Sequence, residues 1–164
     1  ICLTNGELYI NNAKNCKRGD CVVLQRLSLV TIGCFNLPLL REFYINLGWE
    51  ETDHGYVDYA VFKTVGFLLS LYSVEKLAQG SGLELPNSTT FFKGVTFAIN
   101  VDKPSQVDET IEVVRSIGGK IISEPNDATS GFRSASFADP ENNIWEVAYN
   151  PDSTFDERGA MLTI

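Results

Sequence analysis

From Arg26 onward the chain alternates between two hydrophobic periods. Leu27-Ser28-Leu29-Val30-Thr31-Ile32 is rich in β-branched residues and partly alternating, the pattern of a strand. Asn36 is placed to cap a helix, and Pro38 suits its first turn, where a missing N–H leaves nothing unsatisfied. Leu40, Phe43, Tyr44 and Leu47 then fall at helical spacing before Gly48 ends the run. Trp49–Thr52, Tyr56–Lys63 and Val65–Tyr72 follow as three short strand candidates, broken near Gly55 and Gly66. The order is strand, helix, strand, strand, strand.

That order recurs. Lys93–Val101 alternates through Val95, Phe97 and Ile99, and Asp102 and Pro104 stand in the same relation as Asn36 and Pro38. Val107, Ile111, Val114 and Ile117 form a helical stripe closed by Gly118-Gly119. Lys120–Ser123, Phe132–Phe137 and Ile144–Tyr149 are the next strands, the last two joined through Asp139-Pro140-Glu141-Asn142-Asn143. Two βαβββ units about 65 residues apart make an internal duplication. Either unit alone leaves a sheet face uncovered, so one α+β domain built from both is expected. The division is an N-terminal extension of unknown role at 1–25 and a domain at 26–164. Within the domain lie a first module at 26–74, a linker at 75–92, a second module at 93–151 and a tail at 152–164. The polar stretch Asn11–Asp20 leaves the extension open as a hairpin or an appended segment, and it takes no part in the functional reading.

Composition narrows the partners. The 164 residues are 44% hydrophobic with 11% aromatics, enough for one core. Thirteen Lys and Arg against 21 Asp and Glu give a net charge of −8, which argues against binding nucleic acid or an anionic membrane. No apolar run approaches the ~20 residues that cross a bilayer. The cysteines Cys2, Cys16, Cys21 and Cys34 admit a Cys16–Cys21 bridge, but a domain of this size needs no staple. Ordinary thiols and a cytoplasmic location are expected. Asn87-Ser88-Thr89 matches a glycosylation acceptor, with nothing else pointing to secretion. Phosphate-cradling glycine motifs and H-E-x-x-H are absent.

Several motifs together carry a resemblance. They are Phe43-Tyr44-Ile45-Asn46-Leu47-Gly48-Trp49 in the first unit, and Val107-Asp108, Gly118-Gly119, Phe137 to Asn143 and Trp145 to Pro151 in the second. The chain resembles the vicinal oxygen chelate superfamily, which includes glyoxalases, bleomycin-resistance proteins and extradiol dioxygenases. Asp156-Glu157-Arg158-Gly159 is similar to the tail of an uncharacterised bacterial subgroup. The resemblance implies paired βαβββ modules, with two four-stranded sheets curled into a cup and the helices outside. It also implies a small ligand or metal-bound substrate in the cup, and frequent homodimers.

Metal-dependent members of that superfamily place ligands on the first and last strands of each unit, commonly two His and a Glu. This chain has one histidine, His54, between the second and third strand candidates. The corresponding positions hold Leu29, Val95 or Thr96, and Leu69 or Ser70; only Glu146 matches a ligand. One carboxylate does not hold Zn, Fe or Mn. The expectation is therefore a small-molecule binder without metal or other cofactor. The alternative is a metal-dependent lyase, isomerase or dioxygenase that uses Glu146.

Alternation puts Ile144, Glu146 and Ala148 on one face of their strand, with Trp145, Val147 and Tyr149 on the other. Glu146 is then either a carboxylate on a wet floor or paired with an arginine, or else a general base or acceptor for ligand. Arg133 is a candidate to reach Glu146 or an anionic ligand, or else a solvated edge residue. Tyr59, Tyr72, Leu29 and Ser70 complete the candidate lining. His54 reads as a surface residue at a turn, Asp139 and Asn143 as turn chemistry, and Cys34 as a thiol without a matched base.

Overall fold

A computed structural model describes residues 2–4, 7–9, 27–85, 92–128 and 130–163. The Cys16–Cys21 pairing, the polar stretch Asn11–Asp20 and the Asn87-Ser88-Thr89 acceptor lie outside the described residues. In the extension, β1 (Cys2–Thr4) and β2 (Glu7–Tyr9) pair as an antiparallel hairpin.

The first module comprises β3 (Leu29–Cys34), α1 (Leu37–Asn46), β4 (Tyr59–Lys63) and β5 (Leu68–Ser73), in sheet order β3-β5-β4. β3 runs parallel to β5, and β4 antiparallel to it. As the sequence predicts, the Asn36 side chain caps α1, accepting from the Leu39 N–H at 3.1 Å. The strand expected at Trp49–Thr52 is reduced to a single bridge, Glu51 to Phe62. Trp49 stacks on Tyr44 with ring centroids 5.2 Å apart, and Arg41 holds Glu51 at 2.8 Å. Packing and ion pairing thus occupy the segment, and this sheet has three strands plus the bridge rather than four.

The segment assigned as linker begins as a helix, α2 (Val74–Ser81). Ser73 caps it by accepting from the Lys76 N–H at 3.2 Å, and Gly82 ends it in the left-handed region at φ 68°. Val74 and Leu77 pack so tightly on Gly33 that a Cβ there would lie 3.1 Å from each.

The second module follows the expected order: β6 (Thr96–Asn100), α3 (Pro104–Ser116), β7 (Lys120–Asp127), β8 (Arg133–Ala138) and β9 (Ile144–Tyr149). Its sheet order is β6-β9-β8-β7. Lys103 rather than Asp102 is the α3 cap residue, and the Gln106 side chain reaches back to its N–H at 2.9 Å. The tail folds as a hairpin of β10 (Thr154–Phe155) and β11 (Met161–Thr163).

One core joins the modules. Leu40, Phe43 and Tyr44 of α1 and Val107, Ile111 and Val114 of α3 belong to the same buried cluster as Phe62, Leu71, Phe137, Trp145 and Val147. Gly119 sits at its tightest point: a Cβ there would lie 2.5 Å from Val114 Cγ1 and 3.1 Å from Phe43 Cε2. Gly119→Ala should therefore destabilise the chain by about 1–3 kcal/mol, measured by urea unfolding.

The turn between β8 and β9 docks the second module on the first. The Glu141 carboxylate accepts from the backbone N–H groups of Phe35 at 2.9 Å and Asn36 at 2.5 Å, at the start of α1. Asp139 accepts from the Tyr44 hydroxyl at 2.7 Å, and that hydroxyl accepts from Trp145 Nε1 at 3.1 Å. Asp139, Glu141 and Asn143 are all buried. A sequence that reads as turn chemistry is also the polar joint between the halves.

Candidate functional site

Strand alternation sorts each sheet into a face under α1 or α3 and an opposite, more open face, which in the first module is covered at Gly33 by Val74 and Leu77 of α2. On β9, Trp145 and Val147 lie in the core, so Glu146 points to the open face as expected. Glu146 stands opposite Ala98 on β6 and Ser136 on β8. Along the same face, Ile144 is opposite Thr96 and Ala138, and Ala148 is opposite Asn100 and Ser134. The carboxylate is ringed by small and hydroxyl-bearing side chains.

The first module presents an equivalent face. Ser70 lies opposite Thr31 and Val61, Leu29 opposite Leu68, and Tyr72 opposite Gly33 and Tyr59. Four candidates, Leu29, Ser70, Tyr59 and Tyr72, thus share one side of one sheet. Ser70 is fully buried and bonds the Thr31 hydroxyl at 2.7 Å, while Leu29 is exposed. The Tyr59 and Tyr72 rings meet edge to face at 5.8 Å, and Lys76 of α2 lies 5.5 Å from the Tyr72 ring centre.

Arg133 does not belong to this face. It is the β8 partner of Tyr149, on the side under α3. Its guanidinium holds Asp108 of α3 at 2.7 and 2.9 Å and Asp127 at 2.8 Å. The expectation that it reaches Glu146 or a ligand is corrected by register: residues paired with Tyr149 face away from those paired with Glu146. The hydrogen bond from Arg133 lowers the carboxyl of Asp108 below its ordinary value. A depressed folded-state value contributes stability above the unfolded carboxylate range, and that contribution is lost as pH falls through the folded value. Asp108→Asn should therefore flatten the acid limb of a stability–pH profile, read by thermal melts across the carboxylate range.

A cleft of about 240 Å³ opens at the seam where β3 faces β6 and the start of β9. Thr31, Gly33, Lys93, Val95, Asn143 and Ile144 are among its lining residues. Thr31 and Ile144 carry the two open faces to a common edge. A second cleft of about 260 Å³ lies on the helix side, between Leu47, Trp49, Ile99 and Val113, and contains none of the candidates. Thr31 was legible in the sequence, two residues beyond Leu29 and so on its face. Lys93 opens the strand expected at Lys93–Val101 but carries no mark of a site there, and the observed β6 starts only at Thr96.

The donors do not fit a divalent ion. Of the positions read as possible ligand positions in the sequence, Leu29, Val95 or Thr96, and Leu69 or Ser70 offer alkyl groups and hydroxyls, and only Glu146 offers a carboxylate. Among the described residues no group of three or more His, Cys, Asp or Glu side chains converges. His54 is exposed in the turn after Thr52, to whose hydroxyl its own N–H donates at 3.3 Å. Cys34 is buried, and burial foremost, with the Glu141 carboxylate next, pushes its thiol up to about 12, so it is neither thiolate ligand nor nucleophile at neutral pH.

The sequence matches the model of the Glyoxalase/Bleomycin resistance protein/Dioxygenase superfamily over residues 26–147. No curated protein matches it. Among solved structures, a glyoxalase-related enzyme from Fulvimarina pelagi is similar at 23% identity and TM-score 0.76, covering 85% of this chain and 99% of that one. A glyoxalase/bleomycin resistance protein/dioxygenase from Nocardioides is similar at 22% identity and TM-score 0.63, covering 87% and 93%. A lactoylglutathione lyase from Agrobacterium tumefaciens is similar at 19% identity and TM-score 0.57, covering 77% and 95%. At these identities the likenesses establish the fold, and the family match extends across both modules. The chain belongs to the glyoxalase/bleomycin resistance protein/dioxygenase superfamily.

Proposed function

We propose that the open face binds a small, largely apolar molecule, with Glu146 as its polar anchor and no metal ion. The observation that carries this reading is the state of Glu146. It is half-buried, yet none of the ion pairs among the described residues includes it. The buried carboxylates Asp139 and Glu141 are, by contrast, held by protein donors. The Glu146 oxygens are not among the buried unpartnered polar atoms of the described residues, so solvent reaches them, and a ligand O–H or N–H would take the place of that water as donor. Leu29, Tyr59 and Tyr72 would contribute apolar surface to the same ligand, in the manner of small-molecule sites with few polar groups.

The metal-free part rests on the donor set, which offers one carboxylate where the superfamily's metal chemistry uses several ligands. A homodimer is part of the proposal, since Leu27, Leu29 and Leu68 leave apolar side chains exposed on and beside the open face. Light scattering should give the mass of two chains, and the mass of one would remove this part.

A fragment library screened by ligand-observed NMR tests the anchor. Compounds with an O–H or N–H donor on an apolar body should bind wild type and bind Glu146→Gln at least about tenfold more weakly. Equal binding to both proteins would place the ligand elsewhere.

A further inference from the structure

Among the described residues, Lys93 differs from the other cations in its surroundings. Arg41, Lys63, Lys76, Arg115, Arg133 and Arg158 each pair with a carboxylate. Lys103 and Lys120 are exposed. Lys93 is half-buried, lines the seam cleft, and bonds only the neutral Asn143 Oδ1, at 2.9 Å, among the described residues. This occurs in a chain of net charge −8, where carboxylates are plentiful.

The ammonium is also held in place. Asn143 is buried, and its Nδ2 donates to Asp139 Oδ2 at 2.7 Å, which turns its oxygen toward Lys93. The nearby Glu141 carboxylate is committed to the N–H groups of Phe35 and Asn36. A positioned cation with no direct ion pair among the described residues therefore sits in a cleft whose other walls include Val30, Val95 and Phe97, and the Asp139 carboxylate reaches it only through the Asn143 amide.

We infer that the seam cleft takes a small organic monoanion, its carboxylate on Lys93 and its apolar body between β3 and β6. The inference rests on the small-molecule reading above for the existence of a ligand, but its charge preference depends on Lys93. At about 240 Å³ the cleft is smaller than drug-sized sites of roughly 300–1,000 Å³, so the ligand is fragment-sized. Glu146 is not among the residues that line the cleft, and three residues along the chain, roughly 10 Å of extended strand, separate it from Asn143. The like-charged carboxylates of ligand and Glu146 are thereby kept apart.

Cinnamate and its neutral analogue cinnamamide, titrated by calorimetry, test this. Wild type should bind cinnamate at least about tenfold more tightly than cinnamamide, with the preference shrinking as salt is raised. Lys93→Gln should abolish the preference, Lys93→Arg should keep it, and Lys120→Gln, at an exposed cation away from the cleft, should leave it intact. Equal affinity for the two compounds, a preference that survives Lys93→Gln, or no cinnamate binding at millimolar concentration would overturn the inference. The Glu146 reading fails separately, since the fragment screen judges it on donor-bearing compounds whatever their charge.

Discussion

Asp139→Ala is expected to lower the unfolding free energy by about 3–5 kcal/mol, with the urea midpoint falling and the slope unchanged. Both oxygens of this buried carboxylate are fully employed. Oδ1 accepts from the backbone N–H groups of Glu141 at 3.0 Å and Asn143 at 2.9 Å. Oδ2 accepts from the Tyr44 hydroxyl and from Asn143 Nδ2, each at 2.7 Å. Truncation leaves these donors buried without an acceptor, and each such orphan costs about 1–3 kcal/mol. Burial, followed by the Asp139 charge, pushes the pKa of Tyr44 well above the ordinary tyrosine value, so its hydroxyl keeps the proton it donates. Asp139→Asn should also be costly, because an amide turned toward Oδ2's partners would set N–H groups against N–H and O–H donors. A variant within about 0.5 kcal/mol of wild type would show that the turn does not join the modules through Asp139.

The neighbours Trp145 and Glu146 should have opposite phenotypes. Trp145 is 3% exposed, stacks on Phe97 at 4.7 Å and donates its indole N–H to Tyr44. Trp145→Ala should cost about 3–5 kcal/mol by urea unfolding. Glu146 points the other way and supports no described ion pair, so Glu146→Gln should change stability by no more than about 0.5 kcal/mol while weakening ligand binding. A large loss of stability in Glu146→Gln would make it a structural carboxylate and remove the basis of the binding proposal.

Much of this architecture was legible in the sequence because it follows from periodicity. Leu40, Phe43 and Tyr44 recur at helical spacing because α1 buries them, and Val107, Ile111 and Val114 do the same for α3. Alternation alone put Glu146 and Trp145 on opposite faces of β9. What was illegible depended on partners distant in the chain. Alternation gives each strand two faces but not which of them meets the other strands' candidates, so the side taken by Arg133 emerged only from its pairing with Tyr149. The helix α2 has no fully buried residue, and its apolar stripe of Val74, Leu77 and Ala78 is too short to stand out in a segment that reads as linker. Trp49–Thr52 looks like a strand locally, but the stacking of Trp49 on Tyr44 and the polar turn after Thr52 leave only the Glu51 bridge. The joint made by Asp139 and Glu141 reads as a turn because its acceptors serve donors in α1, about a hundred residues earlier.

The central claim is that Glu146 anchors a ligand directly rather than through a metal. Its most direct test is the metal content of untagged wild type and Glu146→Ala, measured by plasma mass spectrometry. Sub-stoichiometric transition metal in both proteins is the expected result. About one metal ion per chain in wild type, lost in the variant, would contradict the account and make metal-assisted chemistry at Glu146 the leading explanation.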